Sequence, residues 1–156
     1  MTTIKRNHRG RDGRRGQGLV EFSLALIPFL LILMGIFDLG RGIYMSNGVS
    51  QAAREIARTT AVHPCGTGTC TLGNSAETAA TIDVQKKLIP GFGSAASTVT
   101  FTCTSISDTV VVSAGSACPS GSFVKVTVSV PYSAITPVLS MVAPSTLVST
   151  AHIQVP

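Results

Sequence analysis

The sequence predicts an α+β protein in which a long N-terminal helix and a short second helix precede a small antiparallel β-sheet. Three observations support this prediction. An apolar run of 19 residues, 19–37, follows a basic N-terminus, and a helix of about 20 residues is long enough to cross a bilayer. Apolar residues then continue at helical spacing to about residue 62. Alternating apolar and polar residues over 97–104 and 123–130 are typical of strands with one buried face.

Residues 1–16 form a polar, basic leader that holds the whole excess of positive charge. The leader carries a net charge of +5, and residues 17–156 carry equal numbers of basic and acidic side chains. Basic residues beside a membrane span stay in the cytoplasm, so we expect the leader inside and the rest of the chain outside. No aromatic residue accompanies the leader's charge, which argues against nucleic acid as a partner. Its composition predicts disorder.

Residues 17–62 are predicted to form one helix that spans the membrane to about residue 37 and is amphipathic beyond it. Only Glu21 and Ser23 are polar within the apolar run. An ionisable group in hydrocarbon costs roughly 2.5 kcal/mol or more, so Glu21 requires a partner or a role. Pro28 removes a backbone hydrogen bond, and we expect a bend or local unwinding in the turn before it.

The amphipathic part of the helix is predicted to lay an apolar stripe against the following domain. Asp38 and Arg41 are three residues apart and can meet on the helix surface. His63–Pro64 is expected to end the helix, because a residue before proline disfavours the α conformation. The predicted stripe consists of Leu39, Ile43, Ala53 and Ala57, with Val49 and Ile56 on its shoulder.

Residues 63–156 are predicted to form a β-rich head outside the membrane. A second helix over 75–88 is expected to be capped by Ser75 and stopped by Pro90–Gly91. Its inward residues would be Ala79, Ile82 and Leu88. The predicted strands cover 97–104, 109–113, 123–130 and 146–155, with a turn-rich linker over 113–121 and an irregular, proline-flanked segment over 132–144.

Four cysteines in the head could form two disulfides or a zinc site. The paired CxxC knuckles of common zinc sites are absent, and an extracytoplasmic location favours oxidation, so we predict disulfides. Four cysteines allow three pairings. Proximity in sequence favours Cys65–Cys70 and Cys103–Cys118.

The sequence contains no recognisable catalytic or cofactor-binding constellation. No HExxH motif, phosphate-binding glycine loop or GxSxG elbow is present. The three histidines are scattered over the leader, the helix end and the last strand. We therefore expect no metal, no cofactor and no enzyme activity.

The peptide GQGLVEF, residues 16–22, resembles the processing site of the type IVb prepilins of the Tad class, in which a glycine, four residues, a glutamate and a phenylalanine or tyrosine follow one another. Residues 14–58 as a whole are similar to the TadE-like pseudopilins. The resemblance implies a pilin-like fold and cleavage after Gly16, with Gln17 as the new N-terminus. It also implies that Glu21, followed by Phe22, helps processing and neutralises the N-terminus of an adjacent subunit during assembly.

The same resemblance implies the partners and the location of the chain. Its partners would be a prepilin peptidase, other pilin or pseudopilin subunits, the pilus platform membrane proteins and the lipid bilayer. The expected location is the bacterial cytoplasmic membrane, with one pass and possible assembly into an extracellular adhesive pilus. The alternative is an uncleaved bitopic protein that displays an extracellular binding module.

Overall fold

The structure is a computed structural model that describes residues 12–65, 71–112, 117–136, 140–141 and 143–156. Most of the predicted leader and Cys70 lie outside these residues, as do parts of the two irregular segments predicted in the head. The described elements are α1 (Asp12–Val62), α2 (Ala76–Leu88), β1 (Thr98–Thr104), β2 (Val110–Val112), β3 (Phe123–Pro131) and β4 (Thr146–Gln154). The predicted α+β class is confirmed.

Helix α1 is continuous from Asp12 to Val62 and 51 residues long, which corresponds to about 77 Å at 1.5 Å per residue. It begins five residues before the predicted start and so includes residues 12–16 of the predicted leader. It ends directly before His63–Pro64, as predicted. The helix also continues without interruption through Pro28, so no local unwinding occurs there, and the bend remains a prediction.

The four strands form one antiparallel sheet in the order β2-β1-β3-β4. β3 is central and pairs with β1 through Thr98↔Ser129 and with β4 through Pro131↔Thr146. One face of β3 is fully buried while the other is half-buried. Alternation along this strand therefore predicted the inward side chains correctly, namely Val124, Val126, Val128 and Val130.

The buried face of α1 packs on this sheet, but the predicted stripe is only partly right. Ala53 and Ala57 are buried as predicted, whereas Leu39 is 59% exposed and Ile43 is 63% exposed. An open groove of about 490 Å³ separates these two side chains from Leu147 at the start of β4. The described part of the head therefore leaves this part of the stripe open and covers it only farther along the helix. The buried residues of the face are Met45, Val49, Ala52, Ala53, Ile56, Ala57, Thr60 and Ala61.

Helix α2 begins at the predicted cap but turns a different face inward. Ser75 Oγ accepts a hydrogen bond from the Thr78 amide at 3.1 Å, as an N-cap does. Ala79 and Leu88 are exposed, contrary to the prediction, whereas Thr78 is buried and Ile82 is half-buried. The reason is a hydroxyl network, in which Thr78 Oγ1 lies 2.8 Å from Ser75 Oγ and 3.3 Å from Thr60 Oγ1. These bonds place a polar residue between the two helices.

A disulfide joins Cys103 of β1 to Cys118, which precedes β3, with the Cα atoms 5.5 Å apart. Closing a loop of this length contributes about 3 kcal/mol in the chain-entropy account. Cys65 is also disulfide-bonded. Its predicted pairing with Cys70 stays a prediction, because Cys70 lies outside the described residues.

Candidate membrane anchor and its junction with the head

Residues 19–37 of α1 present an apolar surface that the described part of the head leaves uncovered. Every residue there is exposed except Leu26 and Gly35, which are half-buried. A helix on the surface of a soluble domain would bury an apolar stripe and show a polar one to water. Apart from Glu21 and Ser23 this stretch is apolar on all sides, and its length and composition are those of a membrane span. The surface indicates single-pass membrane anchoring.

The residues of the predicted processing site lie together on the first turns of this helix. Gly16, Gln17, Glu21 and Phe22 are all exposed. The Gln17 side-chain amide donates a hydrogen bond to Glu21 Oε1 at 3.4 Å, so these two side chains share one helix face. A Cβ atom added at Gly16 would meet nothing within 4 Å. Packing against the described residues therefore does not explain this glycine.

Asp38, the first residue after the apolar run, is buried although it is a carboxylate. It is only 2% exposed. Its oxygens accept hydrogen bonds from the Ile135 amide at 3.1 Å and from the Thr136 amide at 2.7 Å. The Thr136 hydroxyl donates a further bond to Asp38 Oδ2. A carboxylate on α1 thus holds the segment that follows β3.

Two more contacts join the same segment to the helix. The Tyr132 hydroxyl donates to the Asp38 carbonyl oxygen at 3.1 Å. The Arg41 guanidinium donates to the Ser133 carbonyl oxygen at 3.2 Å and lies 5.6 Å from the centroid of the Tyr132 ring, within the range of a cation–π interaction. We call these residues the junction clamp: Asp38, Arg41, Tyr132, Ser133, Ile135 and Thr136.

The clamp favours the ionised form of Asp38. The hydrogen bond from the Thr136 hydroxyl, followed by those from the Thr136 and Ile135 amides, lowers the pKa of Asp38 below its ordinary value. Burial acts in the opposite direction, and the nearby positive charge of Arg41 adds to the lowering. Donors from the head therefore compensate a charge placed directly at the end of the anchor.

We did not predict this clamp from the sequence, which suggested a surface contact between Asp38 and Arg41. Both side chains reach across to the head instead. A signal was nevertheless present, because Asp38 precedes Met45 and Ala52 by seven and fourteen residues. Multiples of seven residues keep to one side of a helix, so Asp38 lies in line with the buried stripe.

The clamp predicts a loss of stability in acid. Because the folded-state pKa of Asp38 is lowered, its contribution is complete above the unfolded value of about 3.9 and is lost as the pH falls through the folded value. We expect Asp38→Asn to lower the melting temperature by several degrees at neutral pH and to weaken the dependence on pH in acid. Thermal unfolding of the detergent-solubilised chain across this pH interval measures both effects.

Asp108→Asn is the matched control for that measurement. The Asp108 carboxylate, whose pKa Lys125 lowers by a hydrogen bond, is 56% exposed on the surface of the head. Exposed ion pairs contribute little, so this variant should melt close to the wild type at neutral pH. Equal losses from the two substitutions would contradict the role given to the clamp.

Within the described part of the chain, no group of three or more histidine, cysteine, aspartate or glutamate side chains is placed to hold a metal ion. The described residues show an uncovered apolar surface on α1 and the junction clamp at its end. Such an arrangement can anchor a head to a membrane and hold it in a set position.

Residues 16–58 match the model of a protein family described as TadE-like protein. The match begins at Gly16 and covers the apolar run, the clamp residues on α1 and most of the buried stripe. It confirms the family resemblance over the anchor and its extension. Comparison of the chain with curated proteins and with solved structures gives no match.

Proposed function

We propose that this chain is a minor pilin or pseudopilin of a Tad-type pilus assembly system. In this proposal the chain is inserted with its leader in the cytoplasm, is cut after Gly16 and contributes to pilus biogenesis and surface adhesion. One observation carries the proposal: the match to the TadE-like family begins at the residue of the predicted cut and continues along the uncovered apolar helix.

The geometry around Gly16 supports processing by a prepilin peptidase. Gly16 and Gly18 stand in the first turns of α1, and a Cβ atom at either position would meet nothing within 4 Å. Glycine inside a helix costs about 1 kcal/mol relative to alanine. These two residues therefore make it easier to open the helix at the bond that the peptidase would cut, while the stronger helix formers that follow remain folded.

Cleavage would create the charge that Glu21 requires. The new ammonium group of Gln17 would lie one helical turn from Glu21, on the face where the two side chains already meet at 3.4 Å. A pair of opposite charges in a membrane is favourable only when it is well formed. An ammonium group of the same or a neighbouring subunit would supply this pairing, and the apolar surface would exchange lipid for sister subunits.

Small residues along the helix support packing between subunits. Lipid tails are as apolar as leucine, so helices in a membrane associate through close van der Waals contact and polar bonds. A Cβ atom added at Gly35 or Gly40 would meet no atom of the described residues within 4 Å, which leaves both positions open to a neighbouring helix. The proposed partners are other pilin or pseudopilin subunits and the pilus platform proteins.

The mass of the mature protein tests the proposal. We expect the chain purified from the membranes of a host with its prepilin peptidase to begin at Gln17. The same chain from a host without the peptidase should keep its leader. An N-terminus at Met1 or Thr2 in the first host would refute cleavage and would favour the alternative, an uncleaved membrane-anchored binding module.

A further inference from the structure

We infer that the head rests on the bilayer, and that two described residues of the loop between β3 and β4, Ile135 and Met141, place their exposed apolar side chains in the outer membrane interface beside the anchor. The inference rests on the membrane anchoring contained in the proposed function, and it requires neither cleavage nor assembly. The membrane seat is defined by Ile135 and Met141 of this loop together with Leu39 and Ile43 of α1.

The topology places this loop at the membrane end of the sheet. Tyr132 and Ile135 bond to Asp38, so the start of the loop lies one residue beyond the end of the apolar run. The Tyr132 amide donates to the Ser145 carbonyl oxygen at 2.9 Å, which brings the two ends of the loop together. The Ser140 amide donates to the Thr136 carbonyl oxygen at 3.0 Å and thereby keeps Met141 near the clamp.

The depth of the clamp corresponds to the membrane interface. The apolar run of 19 residues extends about 28 Å along the helix axis, close to the hydrocarbon thickness of about 30 Å. Asp38 follows directly and lies at the level where hydrocarbon gives way to headgroups. Tyr132 and Arg41, which bond at this level, are of the residue types that anchor membrane helices at interfaces.

The exposed side chains of the loop have the chemistry of a membrane contact. Ile135 is 75% exposed and Met141 is 88% exposed. Residues 132–145 contain no charged side chain, whereas the opposite end of the sheet carries the ion pair between Lys125 and Asp108 at 2.8 Å. Apolar side chains on one face bind a membrane when they can enter the boundary between headgroups and acyl chains.

The groove beside the junction clamp also favours lipid as the molecule that covers this surface. It has a volume of about 490 Å³, and Leu39, Ile43, Pro144 and Leu147 are among its lining residues. Leu39 and Ile43 continue the apolar surface of the anchor, while the Asp38 carboxylate in the same lining is bonded to its donors from the head. Because the anchor itself is surrounded by lipid, lipid would also fill this groove when the head rests on the bilayer.

A tryptophan reporter tests the membrane seat, since the chain has no tryptophan of its own. The full chain carrying Met141→Trp is reconstituted into phosphatidylcholine vesicles whose acyl chains carry bromine, a quencher of tryptophan fluorescence. We expect blue-shifted emission and several-fold more quenching than for Ile106→Trp. Ile106 is the matched control, because it is 89% exposed and lies in the β1–β2 turn, at the far end of the sheet.

Two further variants make the outcome decisive. Ile135→Trp tests the same surface at a second position, and its fluorescence should also be quenched. The fluorescence of Phe29→Trp, inside the anchor, should be quenched most. If Met141→Trp and Ile135→Trp are quenched no more than Ile106→Trp, the inference is wrong. Emission that is blue-shifted without quenching, and that depends on the protein-to-lipid ratio, would assign the surface to a second copy and overturn the inference.

The same experiment separates this inference from the proposed function. An unquenched Phe29→Trp would refute membrane anchoring and both proposals with it. A chain that keeps its leader but shows quenched Met141→Trp would refute only the cleavage, and the membrane seat would stand.

Discussion

We expect replacement of Glu21 with alanine to block the proposed assembly of the chain into a pilus while leaving its insertion into the membrane intact. The substitution removes the carboxylate that would pair with the ammonium group of Gln17, in the same subunit or in its neighbour. Loss of one partner from a buried ion pair costs about 3–5 kcal/mol, so assembly should fall by on the order of 100-fold or more. The measurement compares the amount of the chain in sheared pili with the amount in membranes.

Glu55→Ala is the matched control for this result. Glu55 is exposed on the same helix, but it lies beyond the anchor, where water solvates its carboxylate. We expect Glu55→Ala to assemble like the wild type. Glu21→Gln, which keeps the shape of the side chain and removes its charge, should fail as Glu21→Ala does. Normal assembly of either Glu21 variant would contradict the role of the charge.

Replacing Ile56 with alanine removes a large part of the stability of the head. Ile56 is completely buried between α1 and the sheet, where its side chain belongs to the core that includes Val126. Truncation of a buried isoleucine to alanine costs about 2–5 kcal/mol, because the neighbouring side chains fill the cavity only in part. Domains are stable by only about 5–15 kcal/mol. Denaturant unfolding of the detergent-solubilised chain measures the loss.

The same substitution at Ile43 supplies the comparison that decides between the predicted and the observed buried face. Ile43 belongs to the predicted stripe but is 63% exposed. An exposed substitution changes stability by about 0.5 kcal/mol or less, so Ile43→Ala should unfold like the wild type in detergent. Comparable losses at Ile43 and Ile56 would show that the helix packs on its predicted stripe.

Elements with a strong local pattern could be predicted from the sequence. The alternation around Val126 predicted β3 and its buried face, because the side chains of a strand alternate regardless of what covers them. Ser75 and Pro64 predicted the start of α2 and the end of α1, because caps and prolines act on the backbone beside them. The family match likewise covers one continuous stretch of the chain, residues 16–58.

Positions that depend on a distant partner could not be predicted in this way. Thr78 is polar, and its inward position involves the hydroxyl of Thr60, 18 residues earlier in the chain, in addition to the nearby hydroxyl of Ser75. Leu39 has the correct spacing for the buried face and is nevertheless exposed. Leu39 lines an open groove together with Leu147 of β4, and whether the sheet covers such a side chain depends on how it packs on the helix.

The sequence by itself determined the apolar span, its charged leader, the motif around Gly16 and the order of helices and strands. Each of these depends on residues that are close together in the chain. Only the tertiary structure decided that Asp38 is buried and that Ile135 and Thr136, 97 and 98 residues later, supply the donors that keep it ionised. A carboxylate can be buried only where such donors meet it, and the folding of the whole sheet brings them there.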